Sequence, residues 1–168
     1  MKELLSKYVA YNLWANELFA TLILKLPAGD VFKEMPSSFK TIQETIFHMC
    51  YAECVWRQRL MLAERIIPVN EDLKNDTSAL CKEFILQSRL LQQWVAGKNE
   101  LGLTHVFEYK NFKGEFFKQP VNEVLLHVCN HGTYHRGQLV NMLRQLGFEK
   151  IPQTDFSFWS RTKKKSEL

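Results

Sequence analysis

The stretch from Val121 to Gly147, VNEVLLHVCNHGTYHRGQLVNMLRQLG, constrains the fold most. Val124, Leu125, Val128, Leu139, Met142, Leu143 and Leu146 recur at helical spacing, Pro120 stands at the entry and Gly147 at the exit. The pattern predicts one long helix that must lay its apolar stripe against other helices. It also carries three of the five histidines, His127, His131 and His135, spaced four apart. Residues four apart stack one turn above each other, so His127/His131 or His131/His135 can converge on one cation. His127 and His135 are ~12 Å apart in rise, too far to share a small ion at bond lengths of ~2.0–2.1 Å. A third ligand must come from His48 or His105.

The rest of the chain supplies partners for that helix. Residues 2–26 read as an amphipathic helix stopped by Pro27-Ala-Gly29, with Asn12 and Asn16 one turn apart and Trp14 between them. An Asn pair there reads as exposed, because a buried amide without partners is costly. Residues 30–40 look like a loop. Thr41 and Glu44 fit a capping box that opens a helix to about Ala63, with His48 in its second turn beside the apolar face. Alone, such a histidine reads as a satisfied core residue; the second cluster makes it a candidate ligand. Asp76 or Thr77 caps a further helix ending near Gly97. Residues 103–118 alternate around Lys-Asn-Phe-Lys-Gly, a short β-hairpin with His105 exposed near its start. The aromatic segment after Gly147 reads as extended or single-turn, packing across the helices. The expected fold is all-α: a four-helix bundle with a small β-hairpin before the last long helix.

Length and charge exclude several classes. A chain of 168 residues is one domain by size, here 1–160, followed by a basic tail at 161–168 read as disordered. That tail carries most of the net charge of +4, so the body offers no electrostatic footprint for nucleic acid. No apolar run approaches the ~20 residues of a membrane span, and the start lacks a signal peptide's pattern; a cytoplasmic protein is expected. The four cysteines, Cys50, Cys54, Cys81 and Cys129, read as reduced thiols, three of them inside helical patterns among apolar neighbours and Cys129 in the histidine helix.

Four motifs resemble the DinB family of metal-binding four-helix bundles: YNLWAN at 11–16, H-x4-E-x2-W from His48 through Glu53 to Trp56, NHGTYHRGQ at 130–138 and PQTDFSFW at 152–159. The resemblance implies His48, His131 and His135 as the metal ligands, with His127 a neighbour. It also implies an up-down-down-up bundle and a homodimer. Each ligating ring usually donates its remaining N–H to an acceptor, and Asn12, Asn16, Glu53 and Gln138 occupy motif positions suited to that work. Glu53, turned about 140° from His48 on its helix, reads instead as an ion-pair or surface residue. Tyr134 is a possible pocket residue and Arg136 an interhelical or dimer contact.

Three neutral imidazoles leave a divalent ion (zinc, nickel or iron) its full charge and an open position. Such an ion acidifies bound water and deprotonates a bound thiol. The resemblance favours a thiol S-transferase that joins a low-molecular-weight thiol to a small electrophile. A metal-dependent hydrolase and a non-enzymatic metal-binding stress protein are the alternatives. No general base is visible, which weakens the hydrolase reading.

Overall fold

The computed structural model describes residues 1–166. Four long helices dominate: α1 (Lys2–Ile23), α3 (Ile42–Leu60), α4 (Thr77–Ala96) and α6 (Val121–Gln145), with short α2 (Ala28–Val31) and α5 (Glu100–Thr104) in the connections. A 3₁₀ turn covers Glu71–Asn75, strands β1 (Val106–Lys110) and β2 (Phe116–Pro120) form the hairpin, and α7 (Phe156–Ser166) closes the described chain.

The ends of these elements follow from local chemistry. Thr41 Oγ1 accepts the Glu44 N–H at 3.0 Å, which satisfies an orphan donor at the start of α3, and Glu44 Oε2 takes the N–H of Lys40, just before the cap, at 2.9 Å. Asp76 accepts the Ala79 N–H at the start of α4. Gly147, at φ +86°, ends α6 in the left-handed region that only glycine enters freely. Asn111 Oδ1 accepts from the N–H groups of Lys113 and Glu115, which shapes the hairpin turn together with Gly114 at φ +80°. β1 and β2 pair antiparallel from Val106↔Pro120 to Lys110↔Phe116.

Each long helix packs on two others, in the ring α1–α4–α3–α6. Side-chain pairs fix their directions. Tyr8 meets Cys129 while Asn16 meets Arg136, so α1 and α6 run the same way. Gln43 meets Thr77 and Arg57 meets Gln87, so α3 and α4 also run together. Thr45 lies against Met142 and Trp56 against His127, so α3 opposes α6. One apolar cluster gathers around Phe19, Ile46, Phe84 and Leu139, and a second around Leu5, Leu91, Leu103 and Leu125.

Between these clusters lies a polar centre that amphipathic periodicity does not foresee. Asn12 and Asn16 are buried, not exposed, and Glu53 is buried, not a surface residue. Both Asn Nδ2 groups donate to Glu53 Oε1, at 2.8 and 2.9 Å, and Ser88 Oγ donates to Glu53 Oε2 at 2.5 Å. Arg136 Nη1 donates to both Asn Oδ1 atoms at 2.8 Å, and Nη2 to Thr133 Oγ1. Each amide therefore donates to the carboxylate and accepts from the guanidinium, which offsets the penalty that made exposure the expectation.

The last segment also differs from the extended reading. It carries no regular structure to Asp155 and is then helical, starting with the Trp159 N–H bonding to the Asp155 carbonyl. Trp159 is buried against Tyr11, and the Tyr11 hydroxyl donates to the Thr154 carbonyl at 2.6 Å, which holds the entry to α7 on α1. The basic stretch at 161–168 begins inside α7, and residues 167–168 lie outside the described residues.

Gly132 makes the α1–α6 approach possible. A Cβ there would stand 2.7 Å from Asn12 Oδ1 and 3.0 Å from Arg136 Nη1, both of which are pinned by their bonds. Gly132→Ala is therefore expected to destabilise the fold by about 1–3 kcal/mol, measured as a lower urea midpoint at unchanged slope. Gly137→Ala, where a Cβ meets nothing within 4 Å, serves as the control with little effect.

Candidate metal centre

His48 enters from α3, and His131 and His135 from successive turns of α6. Their ring nitrogens lie within 4.8 Å of one another, and this is the one histidine, cysteine or carboxylate group among the described residues that can hold a metal ion. His131 Nε2 is 2.9 Å from His48 Nε2 and 3.0 Å from His135 Nε2. Two nitrogens bound to one cation at ~2.0–2.1 Å and roughly right angles would stand about 2.9 Å apart, so His131 is spaced from each of the other two rings as ligands of one ion are.

Hydrogen bonding sets one of the rings. The Gln138 side chain bridges Ser38 and His135, its Nε2 donating to Ser38 Oγ at 2.8 Å and its Oε1 lying 2.7 Å from His135 Nδ1. His135 therefore carries its proton on Nδ1 and presents a bare Nε2 to the centre. His131 Nε2 cannot then form linear hydrogen bonds to both neighbours, since it has one position for a proton or a lone pair. A cation at the centre resolves that conflict. The residues present fit a metal ion.

Burial keeps the rings neutral. It pulls His48 down to about 4, helped by the charge of His135, and His131 down to about 3, helped by the charges of His135, His48 and His127. His135 is lowered too, by burial, against the opposing pull of Gln138. Lone pairs are thus available at neutral pH.

The other expected residues fall into distinct places. His127 lies one turn beyond His131, with ring centroids 6.0 Å apart, and its ring packs edge-on to Trp56 at 5.3 Å. His105 is exposed and bonds to the Gly102 carbonyl. Tyr134 is 60% exposed with its ring 5.0 Å from that of His135, at the rim. Of the polar candidates, Gln138 touches a triad ring, whereas Asn12, Asn16 and Glu53 belong to the interior network. Burial pushes the Glu53 carboxyl up, and its bonds to Ser88, Asn12 and Asn16 and the charge of Arg136 pull the other way. Phe39 was not foreseen. It stacks on His48 at 4.3 Å and reaches His135 at 5.7 Å, from a loop where no periodicity marks it. With Phe47, His48 and Tyr51 it lines a cavity of about 450 Å³ that Glu44 and Lys74 also border.

A sequence profile of the DinB family matches residues 1–165. The chain belongs to the DinB family. It is 30% identical over 172 residues to "Protein DinB" of Bacillus subtilis (strain 168), an alignment covering 98% of this chain and 99% of that one. The fold is similar to that of the crystal structure of a DinB-like protein from Bacillus subtilis, with a TM-score of 0.63 at 15% identity over 88% of this chain and 97% of the other. In this DinB-family chain the NHGTYHRGQ block has a double duty: His131 and His135 build the triad, while Gly132 and Arg136 build the interior network.

The depressed imidazoles make stability depend on pH. The unfolded chain, whose histidines titrate near ~6.5, binds more protons than the fold once the pH drops below that value. Stability of the metal-free protein should hold above about pH 6.5 and fall as pH drops towards 4, where His48 titrates. Thermal denaturation in chelator should show a lower Tm in mild acid, and His48→Gln/His131→Gln should flatten the difference. An equal drop in the double variant would place the cause elsewhere.

Proposed function

We propose that His48, His131 and His135 hold a divalent cation and that the protein transfers a low-molecular-weight thiol to a small electrophile. The observation that carries this reading is the convergence of three ring nitrogens within 4.8 Å, with His131 Nε2 2.9 Å from that of His48 and 3.0 Å from that of His135, whose ring bonds to Gln138. When bound, the ion supplies the charge that makes a thiol a thiolate at neutral pH. The chain's own residues orient and shelter. Gln138 holds the His135 ring, Phe39 covers the His48 face, and the cavity beside it has the size and mostly apolar walls of a small-molecule site. In the reaction a sulfur–carbon bond forms, the carbon's bond to its leaving group breaks, and the thiol proton leaves with that group or to solvent.

The absence of a usable base favours this chemistry over hydrolysis. No carboxylate joins the triad among the described residues. Glu53 is enclosed by Asn12, Asn16 and Ser88, and Glu44 bonds the start of α3. The homodimer that the family resemblance implies belongs to the same reading and is tested by sedimentation.

Metal analysis of purified variants tests the ligand set. His48→Ala and His131→Ala should lose nearly all bound metal while His127→Ala keeps it; equal loss in His127→Ala would overturn the assignment. Gln138→Ala should weaken metal affinity ~10–100-fold, as loss of a ligand's hydrogen-bond support does. Loaded protein should then consume thiol in the presence of model electrophiles. Ester or amide turnover without thiol would mark a hydrolase, and tight metal binding with neither activity a non-enzymatic binder.

A further inference from the structure

Arg59 carries a charge that the fold leaves unanswered. Its side chain is 9% exposed, its Nε is buried with no hydrogen-bond partner, and no carboxylate among the described residues pairs with it. An arginine stays ionised and offers five donors, so burial without acceptors is costly. Arg136 also has a buried Nε without a partner, but its two terminal nitrogens reach Asn12, Asn16 and Thr133, whereas those of Arg59 make no hydrogen bond among the described residues. Around Arg59 stand aromatic faces instead: Trp56 at 4.7 Å, Phe112 at 5.1 Å and Tyr109 at 5.3 Å. Rings stabilise the charge through their faces but leave the donor edge of the guanidinium bare. That edge is what meets a carboxylate or phosphate in a bidentate pair.

Its neighbours do not supply the missing anion. Glu64 and Glu108 line a cavity of about 280 Å³ with Arg59, yet neither forms an ion pair with it. Glu108 binds Lys118 at 3.3 Å, and Lys110 adds a second cation to the same cavity wall.

Arg59 also points along the same face as the triad. It is eleven residues after His48 on α3, which returns it to within about 20° of the same direction, ~16 Å further along the axis. The side chain folds back over Trp56, towards the triad. Across the groove, Trp56 touches His127, and His127 lies one turn from His131. Phe112 at the hairpin tip touches both Tyr51 and Arg59. A chain of ring contacts therefore runs from the imidazoles to the guanidinium.

We propose that Arg59 is the anion anchor of the small molecule that reacts at the triad, taking a carboxylate at the far end of an elongated thiol. The proposal rests on the thiol-transfer reading. The rise along α3, shortened by the backward reach of Arg59, leaves a span on the order of 10 Å. In a tripeptide thiol with a central cysteine, one arm, from the sulfur to a terminal carboxylate, has to cover that span.

Glutathione and its diethyl ester, matched except for the anions, are the probes. Calorimetric titration of metal-free protein should show the acid binding at least ~10-fold tighter than the ester, the scale of a hydrogen-bonded charge pair. Arg59→Met should abolish that preference and Arg59→Lys restore part of it. His131→Ala should keep it, so a failure of metal binding or thiol chemistry is read separately from a failure of the anchor. Equal affinities, a preference unchanged in Arg59→Met, or no binding of either probe would overturn the proposal. So would a variant that only lowers the Tm and weakens acid and ester alike, which would make Arg59 a clamp between α3 and the hairpin.

Discussion

The carboxylate of Glu53 and the guanidinium of Arg136, joined through the amides of Asn12 and Asn16, hold the bundle in one arrangement. With Ser88 the network draws on α1, α3, α4 and α6, one or two residues from each. Hydrophobic contacts between helices tolerate sliding by a turn or rotation by a few tens of degrees. A buried charge does not, because losing its partner costs several kcal/mol, on the order of 3–5. Any register of α1 or α6 that separates Asn12 or Asn16 from Arg136 strands an ionised group in the core. The apolar clusters supply cohesion, and the polar centre selects which packing the cohesion stabilises.

The same lock positions the triad. Glu53 follows His48 by five residues, so one side chain faces the interior when the other faces the groove between α3 and α6. On α6 the adjacent residues His135 and Arg136 divide the same two duties, about 100° apart. Fixing Glu53 and Arg136 in the interior network therefore turns His48 and His135 towards the seam between α3 and α6, at the height where their nitrogens meet His131. Gly132 belongs to this mechanism as much as any ligand, since it lets α1 come close enough for Asn12 to bridge.

Much of the fold was legible in the sequence. Thr41 with Glu44, Asp76, Pro120 and Gly147 mark helix ends through local bonds, and Asn111 with Gly114 marks the hairpin turn; none of these depends on distant residues. The imidazole row on α6 was equally plain, although spacing alone left His127 and His135 open as partners of His131. What periodicity could not reveal was the burial of Asn12, Asn16 and Glu53. A polar residue reads as exposed until its partners are known, and theirs lie at Ser88 and Arg136, far along the chain. Phe39 escaped for a related reason, because a loop has no repeating direction. The α7 helix escaped because its first turn is anchored by Tyr11, a residue from the opposite end of the chain.

Gln138 supports His135 with an amide where many such sites use a carboxylate. A carboxylate would push electron density through the ring and soften whatever cation sits beyond it. An amide oxygen accepts the ring proton without lending a full charge, while its NH₂ group donates to Ser38. The donor set thus stays uncharged out to its supports, and an ion held there would remain as strong a Lewis acid as three imidazoles allow.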